Sequence, residues 1–289
     1  MKYAVMDIGS NSVRLMISGG GVSYKLSEIT RLALGMGGGS IREEQADKTV
    51  SALSRFLSRA KEERADKIYC FATSAVRTAN NGAEFTARIK RELGLTVDVL
   101  SEEEEAEAGC LGALSGKDGG VIDIGGGSTE IQVMLGGRRL YAKSVPVGAV
   151  RVTDACGQNE ALADRFIKEK LARFGEIPKA AYTAIGGTAI NLAAMLSELK
   201  EYDPKRTDGY IIERERLFGI KRRLYELTPA ERAKLSGLQR GREEIIAAGA
   251  GILCAVMSLA GANSVTVSEK DNLEGYLKRK IKCQEEQTL

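Results

Sequence analysis

Apolar residues arrive in short runs broken by small-residue turns, and the period of the runs changes along the chain. Tyr3–Met6, Val13–Ile17 and Val22–Ser27 read as three strands joined by Gly and Ser turns, predicting an antiparallel meander. From about Glu43 to Arg64 the period lengthens: Ala46, Val50, Leu53, Leu57 and Ala60 form one helical stripe, with Ser40 and Glu43 spaced as a capping box. A strand at Lys67–Ala72, a helix near Gly82–Leu93, a strand at Val97–Leu100 and a helix from Glu102 complete a first half.

The second half restarts the same order. Strands are expected at Val121–Ile124, Thr129–Leu135 and Arg139–Pro146, then at Tyr182–Ile185 and Val265–Val267. Helices are expected at Glu160–Phe174, Thr188–Leu199, Glu213–Leu227, Arg242–Ala260 and Asn272–Ile281. The restart coincides with a duplicated motif. YAVMDIGSNS at Tyr3–Ser12 and GGVIDIGGGS at Gly119–Ser128 each run an apolar strand into Asp, Ile, Gly and small residues, with the two Asp residues 116 positions apart. Repeated mixed sheets with crossover helices predict a two-lobed α/β protein with its site in a central cleft, divided into residues 1–117 and 118–289, the last helix packing back on the first lobe.

Composition narrows the chemistry. With 289 residues, 43% hydrophobic, and a net charge of +3, the chain has the makings of a folded soluble protein and none of a nucleic-acid binder's charge excess. The five cysteines (70, 110, 156, 254 and 283) lack paired spacing, and no charged-then-apolar leader opens the sequence, so a reduced, cytoplasmic protein is expected. Ile245 to Ser268 is uncharged and long enough to span a bilayer, but its Ala and Gly content and the Asn263-Ser264 break predict a buried helix followed by a strand, not a membrane segment. There is no histidine at all. Ser-His-Asp and Cys-His hydrolysis, His-ligated zinc and phosphohistidine chemistry are thereby excluded, and acid or base work falls to carboxylates, Lys, Tyr or Cys.

A strand that delivers Asp into a Gly/Ser/Asn turn suits phosphate: the turn's N–H and hydroxyl groups hold its oxygens while the carboxylate holds a cation or a water. Gly9, Ser10 and Asn11 in the first copy, and Gly125, Gly126, Gly127, Ser128 and Thr129 in the second, are the expected phosphate contacts. Asp7 and Asp123 are the expected ligands of Mg2+, which keeps most of its water and needs few protein oxygens. Arg14, set in an otherwise apolar strand, and Arg77, after the Thr73-Ser74 turn, are the expected phosphate cations; Arg151, Arg240 and Arg242 are weaker candidates. In the run Glu102–Glu105, Ser101 and Glu104 are spaced as a capping box and Glu102 and Glu103 suit the helix dipole, which leaves Glu105 over.

These motifs resemble those of the Ppx/GppA phosphatases, the exopolyphosphatases and guanosine pentaphosphate phosphohydrolases, in their short form. The matching segments run nearly end to end: DIGSNSVRL from Asp7, ATSAVR from Ala72, SEEEEA from Ser101, DIGGGSTE from Asp123, SVPVGAVR from Ser144, AIGGTA from Ala184 and GREEIIAAGAGIL from Gly241. The resemblance implies an actin-like, sugar-kinase-like ATPase fold of two ribonuclease-H-like domains. It further implies Mg2+-dependent release of terminal phosphate from polyphosphate or pppGpp, with Glu105 at the position of the catalytic glutamate and Glu130 close to the metal and water. It also allows a homodimer. The chain departs from the family at Glu102, where Gly is usual, at Glu107, where Arg is usual, and at Glu269 and Leu273, which replace Asp and Arg. Two other readings stand beside it: an ATP-dependent small-molecule kinase of the same superfold, and a polyphosphate or alarmone sensor in which the unusual glutamates have ended catalysis.

Overall fold

The computed structural model describes residues 1–286 and divides by its contacts into two compact units, Met1–Glu105 and Ala106–Leu289. In the first, β1 (Tyr3–Ile8), β2 (Ser12–Gly19) and β3 (Val22–Ile29) form the expected meander, followed by α1 (Glu43–Glu62), β4 (Lys67–Ala72), α2 (Ser74–Thr78), α3 (Gly82–Leu93) and β5 (Val97–Val99). The sheet order is β3-β2-β1-β4-β5, with β1 antiparallel to β2 and parallel to β4. Because strand side chains alternate between faces, Ala4, Met6 and Ile8 of β1 join Val13, Leu15 and Ile17 of β2 in the core, together with Val50, Leu53 and Phe56 of α1. Asp7 and Arg14 therefore point to the opposite face.

Helix α4 (Glu102–Ala113) carries the chain from the first unit into the second. The second unit then repeats the plan of the first. It contains β6 (Gly119–Ile124), β7 (Thr129–Leu135) and β8 (Arg138–Val145), then α5 (Ala149–Cys156), α6 (Glu160–Leu171), β9 (Tyr182–Ile185) and α7 (Gly186–Leu196). Next come α8 (Pro204–Thr207), β10 (Ile211–Glu213), α9 (Arg214–Glu226), α10 (Pro229–Arg232), α11 (Ile246–Leu259), β11 (Ser264–Val267) and α12 (Asn272–Glu286). Its sheet runs β10-β11-β9-β6-β7-β8 with the same antiparallel meander and the same parallel neighbour beside the Asp-bearing strand. Two mixed sheets of this order are the repeated α/β plan that the duplication implied, and they agree with the ribonuclease-H-like pair that the resemblance implied. Cys110 of α4 and Leu114 just beyond it pack on Val121 and Ile185 of the second sheet.

The uncharged stretch from Ile245 is α11 followed by β11, with Ile252, Leu253 and Val256 fully buried, and no described helix is long and apolar enough to cross a membrane. Two local readings need correction. Ser40 does not cap α1: the chain stays extended through Arg42, which is the N-cap, so Glu43 falls at the first helical position and cannot close a box. The helix expected from Arg242 starts four residues later, at Ile246. Cys70, Cys110, Cys156 and Cys254 are free thiols; the side chain of Cys283 lies outside the described residues.

Candidate active site

In the first unit the turn after β1 closes with Gly9 N–H donating to the Ser12 carbonyl at 3.0 Å. The Ser10 carbonyl accepts from Ala33 N–H, and the Asn11 carbonyl from Thr30 and Arg31 N–H, so the following loop holds the turn from outside. Ser10, Asn11 and Ser12 are all buried. Asp7 lies directly opposite Arg14 across the β1–β2 ladder, and Arg14 donates to Asp7 Oδ2 from Nε at 2.9 Å and Nη2 at 2.5 Å. The Arg in an apolar strand thus has its partner, and the two are one ion pair at the turn's base.

A second pair forms where β4 ends. Thr73 N–H donates to the Ile8 carbonyl, which ties the end of β4 to the end of β1. One turn into α2, Arg77 Nη1 donates to Glu105 Oε2 at 2.7 Å and to the Leu100 carbonyl at 2.8 Å. Glu105 is only 7% exposed. Its neighbours in the glutamate run are used as their positions imply: Ser101 N–H donates to Glu104 Oε2 at 3.0 Å and Glu104 N–H to Ser101 Oγ at 3.1 Å, a complete capping box, while Glu102 and Glu103 face solvent.

The second unit's turn repeats the first in detail, with Gly125 N–H donating to the Ser128 carbonyl at 3.0 Å. Its carbonyls are again tied back: Gly125 to Ala149 N–H, Gly126 to Val150 and Arg151 N–H, and Gly127 to Arg151 Nε. Gly148 makes this possible, because a Cβ there would come within 2.4 Å of the Gly126 backbone. Thr129 Oγ1 donates to the Val147 carbonyl. Among the described residues, no backbone carbonyl accepts from Gly126 or Gly127 N–H, which is the arrangement an anion requires.

The duplicated motifs diverge at one register position. Where Asp7 faces Arg14, Asp123 faces Glu130. Side chains directly opposite in an antiparallel pair have Cβ atoms about 4.5–5.5 Å apart, and like charges there repel. Glu130 is 3% exposed and accepts from Ser144 Oγ at 2.7 Å; Asp123 Oδ2 accepts from Asn272 Nδ2 at 3.1 Å. Two carboxylates on opposite strands, Glu130 buried and Asp123 half-buried, fit a hard divalent cation, whose charge removes the repulsion and whose coordination needs few protein oxygens. Among the described residues no cluster of three or more acidic, His or Cys side chains forms, so water and substrate oxygens would complete the shell. Glu130's place opposite Asp123 follows from the short turn between them, a signal present in the sequence but weighed there only through resemblance.

The remaining candidates are accounted for. Arg242 is buried with its guanidinium against the Gly186-Gly187 turn, where a Cβ on Gly187 would lie 2.1 Å from Nη2; Arg240 is exposed. Gly186, at φ +80°, begins α7 beside Asp123. Among the unusual glutamates, Glu102 and Glu107 are exposed, whereas Glu269 accepts from Tyr202 OH at 2.6 Å and from Thr207 Oγ1 and so anchors its loop.

A model of the Ppx/GppA phosphatase family matches residues 16–283. Exopolyphosphatase 2 of Mycobacterium tuberculosis is 30% identical over 95% of this chain and 97% of its own length. The guanosine-5'-triphosphate,3'-diphosphate pyrophosphatase of Photobacterium profundum is 28% identical over 95% of this chain and 58% of its own. The solved Ppx/GppA enzyme of Aquifex aeolicus superposes with a TM-score of 0.77 at 28% identity, covering 96% of this chain and 98% of that one.

Proposed function

Since the chain belongs to the Ppx/GppA phosphatase family and is a phosphoanhydride hydrolase, we propose that it removes terminal phosphate from inorganic polyphosphate with Mg2+ as its cofactor. The observation that carries this reading is Glu105, a buried carboxylate whose cation, Arg77, is also the guanidinium best suited to a phosphate. Before substrate arrives, the Arg77 charge keeps Glu105 a weak base. A terminal phosphate that draws Arg77 onto its own oxygens removes that charge from Glu105, which then accepts the proton of the attacking water. The base is thus strengthened only when there is a phosphate to attack.

The other roles follow from the contacts described above. The N–H groups of Ser10, Asn11, Gly126 and Gly127 and the hydroxyls of Ser10 and Ser128 bind phosphate oxygens, whereas the N–H groups of Gly9 and Gly125 close the two turns and Thr129 Oγ1 is taken by the Val147 carbonyl. Asp123 and Glu130 hold the metal, which when bound supplies positive charge to the phosphoryl oxygens and organises water. Asp7, engaged with Arg14, fixes the first turn, and its carboxylate is the candidate cation ligand of the first unit. The reading includes a cytoplasmic, homodimeric enzyme whose partner is a polyanionic phosphate, not a nucleic-acid polymer or a membrane; the modest net charge of +3 supports the exclusion of a nucleic-acid polymer alone. Guanosine pentaphosphate is the second substrate of this reading, supported by the likeness to the Photobacterium profundum pyrophosphatase. The relatives bear hydrolase names, and the kinase alternative is set aside.

The test is orthophosphate release from polyphosphate and from pppGpp by purified protein, with Mg2+ or with EDTA. Metal-dependent release without any added acceptor supports the proposal, and the faster substrate identifies the branch. Tight polyphosphate binding with no release would return the protein to the sensor class.

A further inference from the structure

We infer that Asn272 is a positioning residue for Asp123, holding that carboxylate in the one orientation from which it serves a divalent cation. The inference rests on the metal role given above to Asp123 and Glu130. The contact spans 149 positions of sequence: Asn272 Nδ2 donates to Asp123 Oδ2 at 3.1 Å. The amide's orientation is decided by chemistry, since an ionised carboxylate only accepts and Nδ2 is the donor end.

Asn272 is itself held from several sides. It is the first residue of α12, immediately after a reciprocal cap: Asp271 Oδ1 accepts from Leu273 N–H at 3.0 Å, and Glu274 Oε2 accepts from Asp271 N–H at 2.9 Å. The start of α12 is pressed against α4 backbone to backbone. A Cβ on Gly112 would lie 2.0 Å from the Asp271 carbonyl oxygen, and one on Gly275 1.7 Å from that of Ala108. Gly109 leaves room for the Asn272 side chain, because a Cβ there would lie 2.9 Å from Oδ1.

That oxygen is the informative atom. Asn272 is 4% exposed, and its Oδ1 is buried with no hydrogen-bond partner among the described residues. An apolar side chain would avoid this unsatisfied acceptor, so packing alone does not call for Asn. What an apolar side chain would lose is the donor on Asp123. Asp123 Oδ1 meanwhile lies against Gly186, where a Cβ would be 2.7 Å away, so one carboxylate oxygen is held by an amide and the other is walled by the turn opening α7. Both α7 and α12 also present their N-terminal ends to this carboxylate, the favourable end for an anion. A carboxylate fixed in this way loses little freedom when a cation binds, and outer groups of this kind usually change metal affinity about 10- to 100-fold.

The test is Mn2+ titration of the full chain by calorimetry and by electron paramagnetic resonance, with no substrate present, for wild type and Asn272→Leu. The expected result is a Mn2+ dissociation constant raised about 10- to 100-fold in the variant, and a steady-state Mg2+ requirement raised by a similar factor while kcat at saturating Mg2+ recovers to near the wild-type value. Unchanged Mn2+ affinity in a folded variant overturns the inference, as does a wild-type protein that binds no Mn2+. Where Asn272→Leu does not fold, Asn272→Ser carries the same comparison with the same two outcomes. Failure of the hydrolase reading would appear separately, as absent phosphate release from a wild-type protein that still binds Mn2+ through Asp123.

Discussion

Glu105→Gln removes one charge from the buried pair with Arg77 and keeps the side chain's size. The pair is enclosed, with side chains 17% exposed at Arg77 and 8% at Glu105, and a charged hydrogen bond in such surroundings contributes about 1.5–3 kcal/mol. The glutamine carbonyl still accepts from Nη1, and the Leu100 carbonyl remains at 2.8 Å, so about 1–2 kcal/mol should be lost. In a chain of 289 residues each kcal/mol moves the transition by about 2 °C, giving a fall of about 2–4 °C in the unfolding temperature by calorimetry. Loss of the base should lower kcat about 100- to 10,000-fold in a phosphate-release assay. The two readouts are independent. A kcat within tenfold of wild type refutes Glu105 as the base, and an unchanged unfolding temperature refutes the ion pair as a stabilising contact.

Three further predictions follow from other contacts. Gly275→Ala drives a Cβ into the Ala108 carbonyl, 1.7 Å away, and overpacking of this kind costs about 1–3 kcal/mol or more; a thermal melt indistinguishable from wild type would contradict the α4–α12 contact. Stability should decline as pH rises from about 9 toward about 12, because burial holds the Cys110 and Cys254 thiols protonated up to about 12 against an ordinary 9.0, and burial likewise raises the Tyr182 phenol from 10.0 to about 12. The unfolded chain releases these protons first, so the contribution is complete below pH 9 and lost through that window; urea midpoints constant from pH 8 to 12 would refute it. Among Cys70, Cys110, Cys156 and Cys254, iodoacetamide at pH 8 should label Cys156 first, since the others are buried, and mass spectrometry that finds Cys70 labelled fastest would contradict the packing of the first unit's core.

What the sequence made legible was mostly what is local. Period-2 runs with Gly turns gave the two meanders, and the duplicated Asp-turn motif gave the repeat of one plan in two sheets. The Ser101–Glu104 box separated Glu105 from three otherwise similar glutamates. Local signals failed where backbone geometry decided the matter. Ser40 and Glu43 have capping-box spacing, yet the extended Arg42 starts the helix two residues too late for it. The eight residues of α5, rich in β-branched Val and Thr, gave no helical stripe; the segment is helical because Gly148 lets it dock on the Gly125–Gly127 turn. Contacts between distant segments were invisible. Nothing near Asp123 announces Asn272, and nothing near Glu269 announces Tyr202, a residue that turns an unusual glutamate into a loop anchor.

The claim that water attacks the terminal phosphoryl group is tested most directly by running the reaction on polyphosphate in 18O-labelled water and locating the isotope. Attack at the terminal phosphorus predicts one 18O in each released orthophosphate and none in the shortened chain. Label in the chain end with unlabelled orthophosphate, or no release with Mg2+ present, would contradict it.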